Sequence, residues 1–293
     1  MSSCVWIAFA LSQLIGGPLD LLDAEPPPAA RPGFVEVGTV RFHPGLREVE
    51  VDATLNLRGG FIEFLACGTG VKRHESLLSL DCDPIDLNAA ILLLGIEPGV
   101  PPRSEDDLGP IEGPRVMLRL RYGVTLPDGR AAVRDVRAED VVTNGPMERA
   151  MAYCGFVYTG SQFIEQEDII RGPGDREAED GDGGAPGDGA ADEPEGGSEP
   201  RQVYAPTILG QLIALSHRPY AILDNPLALP WRDGDYYAYA DALPRLRRDA
   251  PPPVPLVLRL PRPGEIAPRA PRLELPPPPQ APHRVRVEDQ SGR

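Results

Sequence analysis

The sequence lacks paired cysteines, which removes support for the common metal and cluster sites. Its four cysteines, Cys4, Cys67, Cys82 and Cys154, form no C-x-x-C motif. Zinc and iron–sulfur sites usually take cysteines a few residues apart, so an iron–sulfur cluster is not supported and the cofactor stays unknown. Removal of Cys4 with a leader would leave an odd number, which excludes a complete disulfide framework. Buried free thiols and a single bridge from Cys154 to Cys67 or Cys82 both stay open.

The chain also lacks a stripe of Lys and Arg. Its formal charge is −15, and residues 172–200 hold ten acids against one base, Arg176, so that segment supplies −9 of the total. A protein without a basic surface has few groups to neutralise phosphates, and we therefore predict no nucleic-acid partner. Acid this concentrated is typical of a solvated, self-repelling segment, and we predict a disordered insertion over residues 172–201.

Long hydrophobic runs are scarce. Residues 1–23 contain an apolar run that fits the core of a signal peptide and is too short to span a bilayer. Ala24, Ala29 and Ala30 offer small-residue cleavage sites, although no Lys or Arg precedes Arg31. We predict a leader and an exported, periplasmic protein, with a cytoplasmic protein as the alternative. No other segment is long and apolar enough to cross a membrane, so we predict no transmembrane span.

Proline divides the rest of the chain. Residues 24–33 are a Pro/Ala linker, and 13 of the 44 residues from 250 to 293 are proline. Proline is excluded from helix interiors and central strands, so residues 261–293 are predicted to be a disordered, Pro-rich tail. Between linker and tail, residues 34–260 are predicted to form one folded domain around the acidic insertion.

Alternation of apolar and polar residues makes this domain β-rich. The segments FVEVGTVRF and LREVEVDATLNL place β-branched residues at every second position, which is typical of half-buried strands. Further strands are predicted at 61–67, 74–80, 115–123, 131–137, 155–164 and 255–260, and short helices within 137–144 and 146–154.

One helix is clear, at about residues 84–94. Asp83 suits the N-cap, Pro84 suits the first helical position, and Gly95 suits a left-handed C-cap. Ile85, Ala89, Leu92 and Ile96 recur at helical spacing. The predicted fold class is therefore α+β: a β-rich single domain with this one clear helix.

Three segments, in order, resemble the bacterial YdjY domain, a family without an established activity. The first, residues 59–99, reads GGFIEFLACGTGVKRHESLLSLDCDPIDLNAAILLLGIEPG; the others are GFVYTGSQF and SHRPYAILDNPL. The family's Trp before the G-S step is replaced by Cys154-Gly155-Phe156. The resemblance spans about residues 34–260 and implies a single, often exported domain. A ferredoxin-like label is attached to some members, and the cysteine spacing here does not support it. The matching positions are Gly60, Glu63, Phe64, Ala66, Cys67, Lys72, His74, Glu75, Ser76, Leu93, Leu94, Gly95, Pro98, Gly99, Phe156, Tyr158, Gly160, Ser161, Phe163, Pro219, Ala221, Leu223, Asp224 and Pro226.

The polar segment GVKRHES raises the question of chemistry. If residues 74–80 form a strand, alternation puts His74 and Glu75 on opposite faces, so a partner for His74 must come from elsewhere. One hypothesis is a nucleophile and base formed by Cys67 and His74, with the loop between them binding an oxyanion. A second is a metal site that includes His74 and Glu75.

We favour a third interpretation, a hydrogen-bonded network that also forms a small binding lip. Buried polar groups need partners, and each unpaired one costs about 1–3 kcal/mol. The predicted function is a non-enzymatic binding or scaffolding module of the cell envelope, with an unknown protein or small-molecule partner. The alternative is a metal- or thiol-dependent enzyme that uses Cys67 and His74. The candidate binding residues are Glu63, Lys72, His74, Glu75, Ser76, Ser161 and Asp224.

Overall fold

Alternating apolar residues form the strands of a β-rich domain in the computed structural model of the chain. The structure describes residues 24–25, 33–56, 61–105, 107, 109–126, 128–144, 149–166, 201–227, 238–239 and 253–267. The predicted leader at 1–23, the acidic segment at 172–200 and the tail beyond residue 267 lie outside these ranges. The prediction of a β-rich chain with few helices is confirmed.

The strands and helices are numbered in chain order. The two helices of the described chain are α1 (Pro84–Leu92) and α2 (Ala205–Leu209), and 3-10 turns cover Arg73–Glu75 and Ala138–Val141. The strands are β1 (Ala24–Glu25), β2 (Val35–Val37), β3 (Val40–His43), β4 (Glu48–Leu55), β5 (Phe61–Ile62), β6 (Phe64–Cys67), β7 (Ser76–Leu80), β8 (Arg115–Thr125), β9 (Ala131–Arg137), β10 (Thr143–Asn144), β11 (Arg149–Ala150), β12 (Phe156–Tyr158), β13 (Phe163–Glu165), β14 (Gln202–Tyr204), β15 (Gln211–Ala214), β16 (Leu223–Asp224), β17 (Ala238–Tyr239) and β18 (Val254–Arg259).

Eight strands close into a barrel, in the order β4, β7, β6, β15, β16, β12, β8 and β18. The last strand closes it, because β18 pairs with β4 on one side and with β8 on the other. Within this ring β6 and β7 are parallel, as are β15 and β16, and β6 lies antiparallel to β15. The loops that join the two parallel pairs, residues 68–75 and 215–222, are shorter than the usual connection of a dozen or more residues.

The barrel interior is an apolar core. On β4, Val49, Val51 and Ala53 belong to the core, as predicted from their alternation. The opposite face of β4 is charged, and Glu48 binds Arg121 of β8 with an Nη1–Oε2 distance of 2.8 Å. Alternation thus fills the inside with hydrocarbon and leaves ion pairs between strands outside.

Helix α1 packs onto this core. Asp83 caps it by accepting a hydrogen bond from the Ile85 amide at 2.8 Å, so the predicted start is confirmed. Gly95 is left-handed as predicted, with a φ of 79°, but the helix ends at Leu92, two residues before the predicted end. The helical spacing of Ile85 and Leu92, however, predicted the wrong buried face, because both side chains are exposed. The helix is apolar nearly all round, and its buried residues are Leu87, Ala90 and Ile91.

The sequence also misplaced some strand ends. The segment 61–67 is two strands broken at Glu63, and the strand predicted from 74 begins at Ser76, because Lys72 is left-handed and Arg73–Glu75 form a turn. The segment 155–164 is likewise split into β12 and β13. The prediction of a short helix within 146–154 is wrong for Arg149–Ala150, which form a strand that pairs with β10. The predicted linker at 24–33 starts with β1, which pairs with β9.

The acidic segment leaves and rejoins the domain at one place. Strands β13 and β14 pair with each other, and the Gln166 amide donates to the Arg201 carbonyl at 3.0 Å. The two ends of the insertion therefore meet at the base of a hairpin, and the intervening residues are not needed to span any distance.

The described fold continues past the domain end predicted at residue 260. Glu265 binds the Arg259 guanidinium at 2.7 Å and 2.5 Å and accepts a hydrogen bond from the Tyr153 hydroxyl at 2.6 Å. The Arg262 amide adds a further donor at 2.8 Å. These donors hold the pKa of Glu265 well below its ordinary value, so the carboxylate is charged at neutral pH.

We expect a chain that ends at Ala267 to keep the unfolding free energy of the full chain. The same shortened chain with Glu265→Ala should lose about 1–2 kcal/mol of unfolding free energy, because Arg259 and Tyr153 lose their acceptor. Urea unfolding of the three proteins measures both effects. Equal stability of the two shortened chains would show that this contact contributes nothing.

A buried acid lies in the Ala138–Val141 turn. Glu139 is fully buried, and its Oε1 accepts a hydrogen bond from the Gly155 amide at 3.0 Å. Its Oε2 has no hydrogen-bond partner among the described residues. Burial raises the pKa of Glu139 to about 7.

This acid should make stability fall as pH rises. The folded state holds the proton more tightly than the unfolded chain, so the contribution of Glu139 is complete below pH 4.5 and is lost as pH rises through about 7. We expect Glu139→Gln to match the native protein near pH 4.5 and to exceed it at pH 8 by about 2–3 kcal/mol. Urea unfolding of both proteins at the two pH values measures the difference. Parallel pH profiles would rule out this role.

Candidate functional site

Glu63 is the point at which the two crossover loops of the barrel meet. Its amide donates to the Glu75 carbonyl at 2.8 Å, which fixes the end of the loop 68–75. Its carbonyl accepts from the amides of Leu215 and Ser216 at 2.8 Å and 3.3 Å, which fixes the start of the loop 215–222. Because its backbone serves these loops, Glu63 breaks the strand between β5 and β6.

Arg218 lies at the centre of the candidate site. Its side chain is 6% exposed, and its two terminal nitrogens form ion pairs with Glu63 and with Glu105. The guanidinium carbon lies 5.4 Å from the centre of the Phe64 ring, within the range of a cation–π contact. The backbone amide donates to Asp224 Oδ2 at 2.9 Å. Ring, carboxylates and backbone together fix the position of the guanidinium.

Glu105 reaches Arg218 from the connection between α1 and β8. Asp107 organises this turn, because its carboxylate accepts from the amides of Arg103 and Gly109 at 3.2 Å and 3.0 Å. These hydrogen bonds lower the pKa of Asp107. The His217 Nδ1 lies 2.7 Å from the Asp107 carbonyl oxygen, which ties the turn to the neighbouring loop.

A second cation lies beside the same aromatic ring. The Lys72 ammonium is 6.0 Å from the Phe64 ring centre and 2.8 Å from Glu75 Oε1. Ser76 is buried and donates its hydroxyl proton to the Lys72 carbonyl at 2.6 Å. The structure therefore brings together Glu63, Lys72 and Glu75 of the predicted binding residues, with Ser76 supporting the turn.

Asp224 and Ser161 support the opposite side of the loop 215–222. Asp224 is fully buried, and burial raises its pKa well above the ordinary value, although the amides of Arg218 and Asn225 oppose this. Its Oδ1 has no partner within the described part of the chain. Ser161 has a φ of 59° and donates to the Tyr220 carbonyl at 2.7 Å. Both residues position the loop that carries Arg218.

The proposed nucleophile and base face different surroundings. The Cys67 thiol is buried, 3.4 Å from the Leu78 carbonyl oxygen and 3.6 Å from Ser79 Oγ. The His74 side chain is 83% exposed, and its Nε2 lies 3.8 Å from Glu75 Oε2. The expectation that His74 and Glu75 must point apart is wrong, because both lie in the turn before β7. Among the described residues, no group of three or more His, Cys, Asp or Glu side chains is arranged to hold a metal ion.

The charges of the site influence one another. Burial raises the pKa of Glu63, Arg218 opposes the rise, and the Glu75 carboxylate adds to it. Sequence reasoning missed Arg218 and Glu105 as site residues, although Arg218 stands within the motif SHRPYAILDNPL. The available signal was that Arg218 is the only Lys or Arg in residues 202–227, a largely apolar stretch in which such a residue needs an acidic partner.

Comparison with known proteins gives one positive result. Residues 45–184 match the family model of the YdjY domain, which confirms the resemblance over that part of the chain. The match includes Glu63, Lys72, Glu75 and Glu105 and ends before Arg218 and the last three strands of the barrel. No match was found among curated proteins or among solved structures. No described helix has both the length and the apolar character required to cross a membrane.

We expect Arg218→Met to destabilise the fold by about 2–4 kcal/mol at pH 7, because Glu63 and Glu105 then lack their cation. The loss should shrink as pH falls and Glu63 takes up a proton, given its raised pKa. Urea unfolding at pH 7 and pH 4.5 measures this change. Arg73→Met is the matched control, since Arg73 is exposed and its Nε donates to Asn56. Equal effects of the two substitutions would show that the Arg218 ion pairs add no stability.

Proposed function

Since this chain carries a YdjY domain, we propose that it is a non-enzymatic binding or scaffolding module of the bacterial cell envelope. The proposed location is the periplasm, and this rests on the apolar run in residues 1–23. The proposed binding lip lies at the junction of the two crossover loops. It consists of Glu63, Lys72, His74, Glu75, Ser76, Ser161 and Asp224, to which we add Arg218 and Glu105.

The exposure of His74 carries this proposal. Its imidazole stands in solvent at the edge of a cluster whose other charges are paired: Lys72 with Glu75, and Arg218 with Glu63 and Glu105. An exposed side chain with one nearby carboxylate suits recognition of a partner. A general base, by contrast, needs an orienting partner and a neighbouring reacting group within hydrogen-bonding distance.

The burial of Cys67 favours a binding module over a thiol enzyme. A reactive cysteine needs an accessible thiolate, and Cys67 is fully buried with a backbone carbonyl as its neighbour. The alternative enzyme that uses Cys67 and His74 requires the thiol to become accessible and to approach the imidazole. Residues 68–73 separate Cys67 from His74 in sequence, and the end of their loop is hydrogen-bonded through the Glu75 carbonyl to the Glu63 amide.

Site-specific photo-crosslinking in the producing cell tests the binding proposal. We expect a photoreactive side chain at His74 to give discrete crosslinked products in the envelope fraction. The same group at Arg130 is the control, because Arg130 is also exposed but lies at the β8–β9 turn. Identical products from both positions, or none from position 74, would contradict a binding lip at this place.

Alkylation of the folded protein separates the binding module from the alternative enzyme. We expect iodoacetamide to leave Cys67 unmodified until the protein is unfolded, and added zinc to leave the native mass unchanged. Modification of Cys67 in the folded state, or a zinc adduct that His74→Ala abolishes, would favour the enzyme. The Ser79→Ala variant in its folded state is the control, because it removes one hydrogen-bond partner of the Cys67 thiol.

A further inference from the structure

We propose that the Arg218 guanidinium is a binding site for the carboxylate group of a ligand, and that Glu105 fills this site in the structure. The inference rests on the proposed binding function and names the chemical class of the ligand. Glu63 would stay in place as a fixed part of the site, and Glu105 would be displaced.

The guanidinium is held in position before any ligand arrives. The Phe64 ring covers it, and Phe64 is itself buried in a small apolar cluster with Ala214 and Ala221. Asp224 fixes the backbone amide of Arg218, so the loop cannot shift without breaking a buried contact. A planar guanidinium held rigidly on an aromatic ring loses little conformational freedom when a carboxylate binds.

The two carboxylates on Arg218 differ in how they are attached to the fold. Glu63 lies directly before the barrel strand β6, and its backbone bonds hold both crossover loops. Glu105 belongs to a surface turn and is more exposed, at 38% of its side chain against 23% for Glu63. Displacing Glu105 requires only that a more exposed side chain rotate into solvent, whereas the more buried Glu63 side chain stands on a backbone fixed by both loops.

The turn that carries Glu105 has its own support. Asp107 accepts from the amides of Arg103 and Gly109, and the Asp107 amide donates to the Ser104 carbonyl at 3.2 Å. His217 ties the Asp107 carbonyl to the neighbouring loop. The turn therefore keeps its place when Glu105 releases Arg218, and the freed position is a defined gap for one carboxylate.

The geometry of the guanidinium favours a carboxylate. Lys72 lies near the same ring but is paired with Glu75, so the Arg218 nitrogen that Glu105 occupies is the group that an incoming carboxylate would bind. The terminal nitrogens of a guanidinium match the two oxygens of a carboxylate, and Glu105 already supplies such a group. The carboxylate could belong to a peptide C-terminus or to a small free acid, and the experiment below separates these two sources.

Chemical rescue of Glu105→Ala by acetate tests this inference. We expect acetate to raise the melting temperature of this variant in a saturable way, and sodium chloride at the same ionic strength to have no such effect. Acetate should bind the variant about tenfold or more tightly than it binds the native protein, because the tethered Glu105 no longer competes. Glu112→Ala is the matched control: Glu112 is exposed on the same connection. Adding Arg218→Lys should abolish the effect.

The outcomes separate the ligand class from the proposed function. Equal responses of Glu105→Ala and Glu112→Ala to acetate, or an equal effect of chloride or sulfate, would overturn the carboxylate site. Crosslinking at His74 would be untouched by that result, so the two proposals fail separately. A short peptide that binds Glu105→Ala with a free C-terminus and not when amidated would assign a peptide end. Binding of acetate without binding of the peptide in either form would instead assign a small free acid.

Discussion

The backbone of Glu63 is the constraint on which the site depends. Parallel neighbours in a barrel need a loop that returns along the strands, and this fold has two such loops side by side. The end of the loop 68–75 bonds to the Glu63 amide, and the start of the loop 215–222 bonds to its carbonyl. Backbone groups that are removed from a strand ladder must find other partners, and here the irregularity of one residue satisfies both loops at once. The side chain of that residue is paired with Arg218, so the backbone hydrogen bonds that hold the two loops also determine where the charges meet.

The charged cluster illustrates how ions are accommodated near a protein core. A cation with little exposure is costly unless acidic groups accompany it, and Arg218 has one carboxylate on each side. Phe64 contributes a polarisable face to both Arg218 and Lys72. The result is a nearly neutral assembly in which one member, Glu105, is attached to the rest of the domain less firmly than the others. Rigid support and one loosely attached partner are compatible with recognition of an external ligand.

Much of the scaffold could be predicted from the sequence, because its cause is local. The alternation Val49, Val51 and Ala53 predicts β4, and Asp83, Pro84 and Gly95 predict α1. The site was harder to predict from the sequence, because Arg218 and Glu63 are 155 residues apart and only the tertiary fold brings them together. The break at Glu63 is equally non-local, since its hydrogen-bond partners lie in two distant loops. The buried face of α1 could not be assigned because nearly every position of that helix is apolar. Roles for His74 and Cys67 remain predictions.

The closing position of β18 has a consequence for how the domain forms. This strand, Val254–Arg259, separates β4 from β8, so the ring stays open until a segment near the end of the chain has arrived. A chain synthesised from its N-terminus therefore cannot close the barrel until nearly the whole domain has been made. Long sequence separation between paired strands slows folding. Closure of the barrel is thus the last and slowest step that the order of strands along this chain allows.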